Sequence, residues 1–384
     1  MNAAIPMELS SEDSLRLNVL LANAVAVRID EGTLRVYGLS RTGDEAQIQL
    51  NPNCRPDQYV RRVRELLSSR VLGSPGGYPV FLKRWTRMGQ TRDARLADLL
   101  MLGEPEAVVA VAGAHGLTDD LAARAWWAMP DAANARRMLT RDCVAKGVMG
   151  KALASFLVEF LPFEEEPRDI IDSVRLVLQP GLIDDATRME IWNRGRSKSI
   201  FRIGFLQAQP DALPEPLAPR ADAADHLPAL DGLSAAGNPF ARILQRVLSG
   251  PGQTYVQTCE QAFKRPSNQD AVCELLDTMG AYFFPARITA MHFGDVTELM
   301  AQGEAGFSAS PDADRSRIDA CAEIAERLPA LAAELRAIQI LAHVGEPLVR
   351  TIFSRTDAVG SVMRRKLEPV TAPILKQLAV LRGT

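Results

Sequence analysis

Ala24-Val25-Ala26-Val27-Arg28-Ile29-Asp30-Glu31-Gly32-Thr33-Leu34-Arg35-Val36 is the stretch on which the fold class turns. Val25, Val27 and Ile29 alternate with small or polar residues, Asp30-Glu31-Gly32 supplies a turn, and Leu34 and Val36 resume the period of two. A second loop, Ser40 to Glu45, leads to Ile48 and Leu50. Alternation about Gly-containing connections predicts an antiparallel meander of three short strands. So small a sheet must lay its apolar face on something. Leu15, Leu17, Val19, Leu20 and Leu21, just upstream, are expected to form a covering helix.

Beyond this stretch the period is helical to the end of the chain. Tyr59, Val63, Leu66 and Leu67 mark one face of a helix that begins after Pro56-Asp57. The loop Gly73-Ser74-Pro75-Gly76-Gly77 ends it, and short helices bounded by Gly, Pro or Asp follow as far as Leu178. Ile324, Leu328, Leu331, Leu335 and Ile338 form another amphipathic stripe, which Pro329 should kink or divide. Two segments match at an offset of 65: Gly116-Leu117-Thr118-Asp119-Asp120 leading to Trp127, and Gly181-Leu182-Ile183-Asp184-Asp185 leading to Trp192. Each reads as an acidic helix start followed by a helix with a buried Trp. The paired carboxylates there are read as caps before metal or acid–base groups. The expected fold is therefore mainly α, a multi-helix array with a small N-terminal β meander. A HEAT-like stacking is one form it can take, although a solenoid wants three or more units.

Residues 209–238 carry Pro210, Pro214, Pro216, Pro219 and Pro228 with few large apolar residues, and are expected to be a linker. This divides the chain into a module at 1–55, a helical domain at 56–208, the linker, and a C-terminal helical domain at 239–384.

Composition narrows the class of activity. In 384 residues, 44 Lys and Arg stand against 47 Asp and Glu, a balance that excludes a polycation or an acidic tail protein. Five Cys without a CxxC pair suit a reduced compartment rather than a disulfide scaffold. The start of the chain lacks a basic and apolar leader and no apolar run reaches about 18 residues, so a soluble cytoplasmic protein is expected. His115, His226, His292 and His343 are scattered, and no zinc spacing, Walker loop, GxGxxG, GxSxG or haem or iron–sulfur spacing occurs. No catalytic residue, metal ligand or cofactor is assigned.

One segment stands out by charge. From Arg55 to Arg95, ten basic residues face three acidic ones, leaving +7 where the whole chain carries −3. Tyr78 and Trp85 lie among them, and Arg61, Arg62, Arg64, Lys83, Arg84, Arg87 and Arg92 are the candidate binding residues with these two rings. Three uses fit: single-stranded RNA held by phosphate pairing and stacking, docking of an acidic protein, or cation–π packing within the fold. A separate candidate is Cys54 in Asn51-Pro52-Asn53-Cys54-Arg55. It reads as the least buried of the thiols, with Arg55 placed to lower its pKa.

Several strings carry a family resemblance. They are Glu8-Leu9-Ser10-Ser11-Glu12-Asp13-Ser14-Leu15-Arg16-Leu17, Leu72-Gly73-Ser74-Pro75-Gly76-Gly77-Tyr78-Pro79-Val80, and Leu82-Lys83-Arg84-Trp85-Thr86-Arg87-Met88-Gly89-Gln90. Further along are Leu102-Gly103-Glu104-Pro105-Glu106-Ala107-Val108-Val109, Arg124-Ala125-Trp126-Trp127-Ala128-Met129-Pro130 and Val177-Leu178-Gln179-Pro180-Gly181-Leu182-Ile183. Together they resemble the sulfur reduction protein DsrS family, over nearly the whole chain and most firmly over 7–210. The resemblance implies a cytoplasmic accessory or regulatory factor of dissimilatory sulfur oxidation, acting on production of the sulfur-oxidation proteins. It carries over no catalytic residue. On this reading the chain is non-enzymatic and works through a protein or RNA partner at 55–95. The alternatives are sulfur transfer or thiol redox chemistry at Cys54, and a helical scaffold without a sulfur role.

Overall fold

The computed structural model describes residues 9–73, 93–307, 312–354 and 360–384. The chain divides into two compact units, Met1–Phe160 and Leu161–Thr384.

The first unit opens with α1 (Ser11–Asn23), followed by β1 (Ala24–Asp30), β2 (Arg35–Ser40) and β3 (Glu45–Gln49). The strands pair antiparallel in the order β1-β2-β3, with Val27 opposite Gly38 and Val36 opposite Ile48. The expected meander and covering helix are both present. Ser10 caps α1 by accepting from the Asp13 amide. Only Leu17 and Leu20 of the apolar helix residues are buried, whereas Leu15 and Val19 face solvent. Gly38 is where the helix meets the sheet, since a Cβ there would lie 2.7 Å from the Leu20 side chain.

Next comes α2 (Pro56–Leu72), whose Tyr59, Val63 and Leu67 join Leu17, Leu20, Val27, Val36 and Leu50 in one core. Residues 1–55 are therefore not a separate module, because the meander buries its face against α2 as well as α1. A buried carboxylate fixes the junction: Asp13 Oδ2 accepts from the Tyr59 hydroxyl at 2.5 Å and from the Asn51 amide at 3.0 Å. The unit continues with α3 (Asp93–Leu99), α4 (Pro105–Ala112), α5 (Asp119–Ala128), α6 (Ala132–Leu139), α7 (Asp142–Ala145) and α8 (Val148–Phe160). Thr118 caps α5, and Asp119 accepts from the Val148 and Met149 amides at the start of α8, so the first acidic motif works as caps.

In the second unit α9 (Pro167–Val177), α10 (Asp185–Arg194) and α11 (Ile200–Ala208) precede α12 (Ala223–Ala235) and α13 (Pro239–Leu248). They are followed by α14 (Gly250–Lys264), α15 (Gln269–Phe283), α16 (Val296–Glu304), α17 (Arg315–Arg327), α18 (Ala332–Leu341), α19 (Pro347–Phe353) and α20 (Gly360–Arg382). Asp184 caps α10 by accepting from the Thr187 amide. The stripe at 324–338 is buried and Pro329 divides it, since α17 ends at Arg327 and a 3-10 turn leads into α18.

The expected linker at 209–238 is instead packed structure. It contains α12, which runs through Pro228 and buries Leu230 and Leu233. Asp211 takes both a 2.6 and a 2.7 Å bond from Arg246, and the Leu217 amide donates to Thr254 Oγ1 at 2.9 Å. Arg220 is only 6% exposed at its side chain and meets Glu334 at 2.6 Å and Asp222 at 2.6 Å. The segment looked like a linker because prolines remove backbone donors and its attachments are charges. The domain boundary accordingly falls at 160/161, not at 209–238.

Removing one side of a buried pair leaves the other charge without compensation. Arg220→Ala should therefore lower unfolding free energy in urea by about 3–5 kcal/mol, whereas Arg220→Met with Glu334→Leu should recover most of it.

Candidate functional site

Helix α2 carries Arg61, Arg62, Arg64 and Arg70 of the basic segment, while Arg55 precedes it and Arg95 lies in α3. Pro56 stands in the first turn of α2, and Gly73 closes that helix in the left-handed conformation at φ 69°. Because one face is fixed in the core by Tyr59, Val63 and Leu67, the other holds its arginines on a rigid support. Arg61 and Arg62 share one carboxylate, with Arg61 Nε 3.3 Å and Arg62 Nη1 3.0 Å from Glu65. Arg64 reaches Glu31 in the β1–β2 turn at 2.5 Å. Arg61 is the most open of the three, its side chain 81% exposed. The structure thus brings Arg61, Arg62 and Arg64 onto one helix. Tyr78, Lys83, Arg84, Trp85, Arg87 and Arg92 lie outside the described residues.

A second cluster, on the sheet face away from α1, was not singled out from the sequence. Arg28 and Tyr37 are cross-strand partners, and the Arg28 guanidinium sits 4.5 Å from the Tyr37 ring and 5.0 Å from the Trp127 ring. Glu45 accepts from Arg28 at 3.0 Å and from the Trp127 indole N–H at 2.9 Å. In the second unit Trp192 repeats the arrangement: its N–H donates to Glu215 at 3.0 Å and the Arg202 guanidinium lies 3.3 Å from its ring. Burial lowers the Arg202 pKa to about 10. The available signal was the matched Trp motif, but neither glutamate stands at a matched position. Trp192 is buried as expected, and Trp127 is half-buried. In each set a Trp is held between a guanidinium and a glutamate of the fold itself, which makes the set a structural clamp.

The thiols are ordered differently from the sequence expectation. Cys54 is half-buried against the first unit's core, with its Sγ 3.7 Å from the Arg55 carbonyl, and Cys143 is the exposed one. Cys259 is fully buried, and burial raises its pKa. Burial, followed by the charges of Glu346, Asp270 and Asp277, pushes Cys273 up to about 12. All five are free thiols. Among the described residues no group of three or more His, Cys, Asp or Glu is placed to hold a metal, and no helix is long and apolar enough to cross a membrane.

His343 is the buried histidine. Its Nδ1 lies 2.8 Å from the Gln339 carbonyl and its Nε2 3.2 Å from the Thr289 carbonyl, and the ring stacks on Phe307. Burial lowers its pKa from 6.5, outweighing the two carbonyls, and the nearby positive groups Arg287 and His292 add to the drop. A neutral imidazole has one N–H and serves one of these carbonyls at a time.

Two outcomes follow from these environments. A small alkylating reagent should modify Cys143 before Cys54 in the folded protein, and Cys259 only on unfolding; mass spectrometry of digests reads the order. For His343, the folded value lies below the unfolded one, so its contribution to stability is complete above pH about 6.5 and is lost as pH falls through the folded value. Denaturation of wild type across this range should show a slope, of at most about 1.4 kcal/mol per pH unit from one site, that His343→Gln lacks.

No family model, curated protein or solved structure matches the chain.

Proposed function

We propose that this chain is a non-enzymatic accessory or regulatory protein of the DsrS kind. It acts in the cytoplasm on the production of sulfur-oxidation proteins, through a protein partner that docks acidic side chains on the exposed face of α2. The observation that carries this reading is the sharing of Glu65 by Arg61 and Arg62 on a helix whose opposite face is locked in the core. One carboxylate cannot saturate two guanidinium groups with five N–H donors each. A preorganised helix loses little freedom when a partner supplies the missing acceptors. Protein is favoured over RNA because Glu65 and Glu31 interleave carboxylates with the arginines, which opposes a run of phosphates and suits mixed protein charge.

Affinity capture of the tagged full chain from cytosol, with and without RNase, tests this. A defined set of proteins should be retained after RNase and weakened about tenfold by Arg61→Ala with Arg62→Ala, roughly the worth of two rim contacts. Capture lost on RNase treatment would move the reading to RNA, and capture indifferent to the double substitution would remove α2 as the site. In a host that oxidises sulfur, loss of the protein should lower the abundance of the sulfur-oxidation proteins. Unchanged abundance would refute the regulatory role.

A further inference from the structure

Among the described residues, the meander has one covered and one open edge. At β1 the Val27 amide donates outward to the Leu100 carbonyl at 2.8 Å. At β3, Glu45, Ala46, Gln47 and Gln49 are exposed and Ile48 is half-buried. The backbone directions along β3 follow from its ladder with β2. The Leu50 amide bonds to the Leu34 carbonyl and the Ser40 amide to the Asp44 carbonyl, on either side of a continuous register. Antiparallel pairs alternate between bonded and non-bonded positions. Ala46 and Ile48 therefore bond to β2, and Glu45, Gln47 and Gln49 turn their N–H and C=O groups away from it.

Exposed edges are normally blocked by lysine, proline or a bulge. The strand Glu45-Ala46-Gln47-Ile48-Gln49 has no lysine or proline, and the sheet's irregularity lies between Ala24 and Ala26 on β1. Its one charge, Glu45, is already taken by Arg28 and Trp127 on the far face. On the α1 face, a groove of about 480 Å³ is lined by Leu15, Val19, Ala46 and Ile48. Leu15 is 67% and Val19 57% exposed beside it.

We propose that β3 is a self-pairing edge through which two copies of this chain form a two-fold dimer. The strand is complementary to itself about Gln47. Antiparallel pairing there places Gln47 opposite the partner's Gln47, and Glu45 opposite the partner's Gln49. These are the positions whose backbone groups point outward, so each pair exchanges both hydrogen bonds. Ala46 meets the partner's Ile48 on the α1 face, and no two like charges oppose each other along the strand. The dyad is perpendicular to the sheet, so both α1 helices lie on the same side. Leu15 and Val19 of each copy then close over the Ala46 and Ile48 seam, burying apolar surface that is otherwise in water.

Sedimentation of the full chain over a range of concentrations tests the proposal. Wild type should be a dimer, and Gln47→Lys, which sets two like charges side by side, should raise its dissociation constant at least about tenfold. Gln47→Pro should do the same by removing an outward N–H that β2 does not use, with circular dichroism unchanged. Gln47→Cys should form an intermolecular disulfide under mild oxidation, since bonded antiparallel pairs hold their Cα atoms about 5.5 Å apart. Wild type and Arg41→Cys should not. A wild type that stays monomeric at its highest soluble concentration overturns the proposal. So does a dimer that is indifferent to Gln47→Lys and that Gln47→Cys fails to cross-link. If Gln47→Pro disturbs the fold, Gln47→Lys and the cross-link decide. Arg61→Ala with Arg62→Ala should leave the dimer intact, which separates this edge from the α2 site.

Discussion

The second unit depends on one buried guanidinium. Arg220 ties the proline-rich stretch to α18 through Glu334, to its own turn through Asp222, and by its backbone amide to the Leu248 carbonyl at the end of α13. The far end of the chain lies against the same side chain, since a Cβ on Gly383 would come within 3.3 Å of Arg220 Cδ. Gln253 reinforces the junction from α14 by donating to the Val247 and Leu381 carbonyls. A desolvated charge holds its position only if its partners are fixed. Arg220 therefore specifies where the segment lies more than it adds to stability. Hydrophobic packing cannot do this at 209–222, where Leu213 is the only buried large apolar side chain among the prolines.

Contacts made locally along the chain were legible in the sequence, and those made at a distance were not. The meander was legible because the period of two is imposed by the strand itself, as was the break at Pro329, where the backbone alone decides. The capping role read for the paired carboxylates was equally local, as Asp184 at the start of α10 shows. The attachment of 209–238 was not legible, because its partners Arg246, Thr254 and Glu334 lie 35, 37 and 114 residues away along the chain. α1 shows an intermediate case. Its apolar residues at 15, 17, 19, 20 and 21 spread over more than one helical face, and periodicity alone cannot choose the pair that meets the sheet. Gly38 makes the choice by admitting Leu20, and Leu15 and Val19 are left outside.

For the candidate site, the most informative pattern is how this protein uses arginine beside aromatic rings. Arg28, Arg202 and Arg246 each stack on a ring of the fold itself, on Tyr37 and Trp127, on Trp192, and on Tyr282 at 3.9 Å. Each is also near a carboxylate: Arg28 and Arg246 are bonded to Glu45 and Asp211, and Glu215 raises the Arg202 pKa through its charge. Cation–π contacts contribute from about 0.5–1 kcal/mol at exposed sites to about 2 kcal/mol where solvent is excluded. The two Trp clamps arise at matched motifs with unmatched glutamates, so the indole N–H is the fixed element and the acid is recruited from wherever the fold brings one.

Arg61 and Arg62 break this pattern. They stand in solvent, and their shared contact is a carboxylate on their own helix with no ring over either in the described residues. Stacking of bases needs aromatic platforms, and where rings meet arginines in the described parts those rings are already covered. On the proposed reading, a protein partner for α2 would meet Arg61 and Arg62 through charge, with acceptors at the spacing of successive helical arginines. Acidic side chains on another protein surface would meet that demand directly, since the inner face of the helix is fixed in the core by Tyr59, Val63 and Leu67 and its outer guanidinium groups stand on a rigid support.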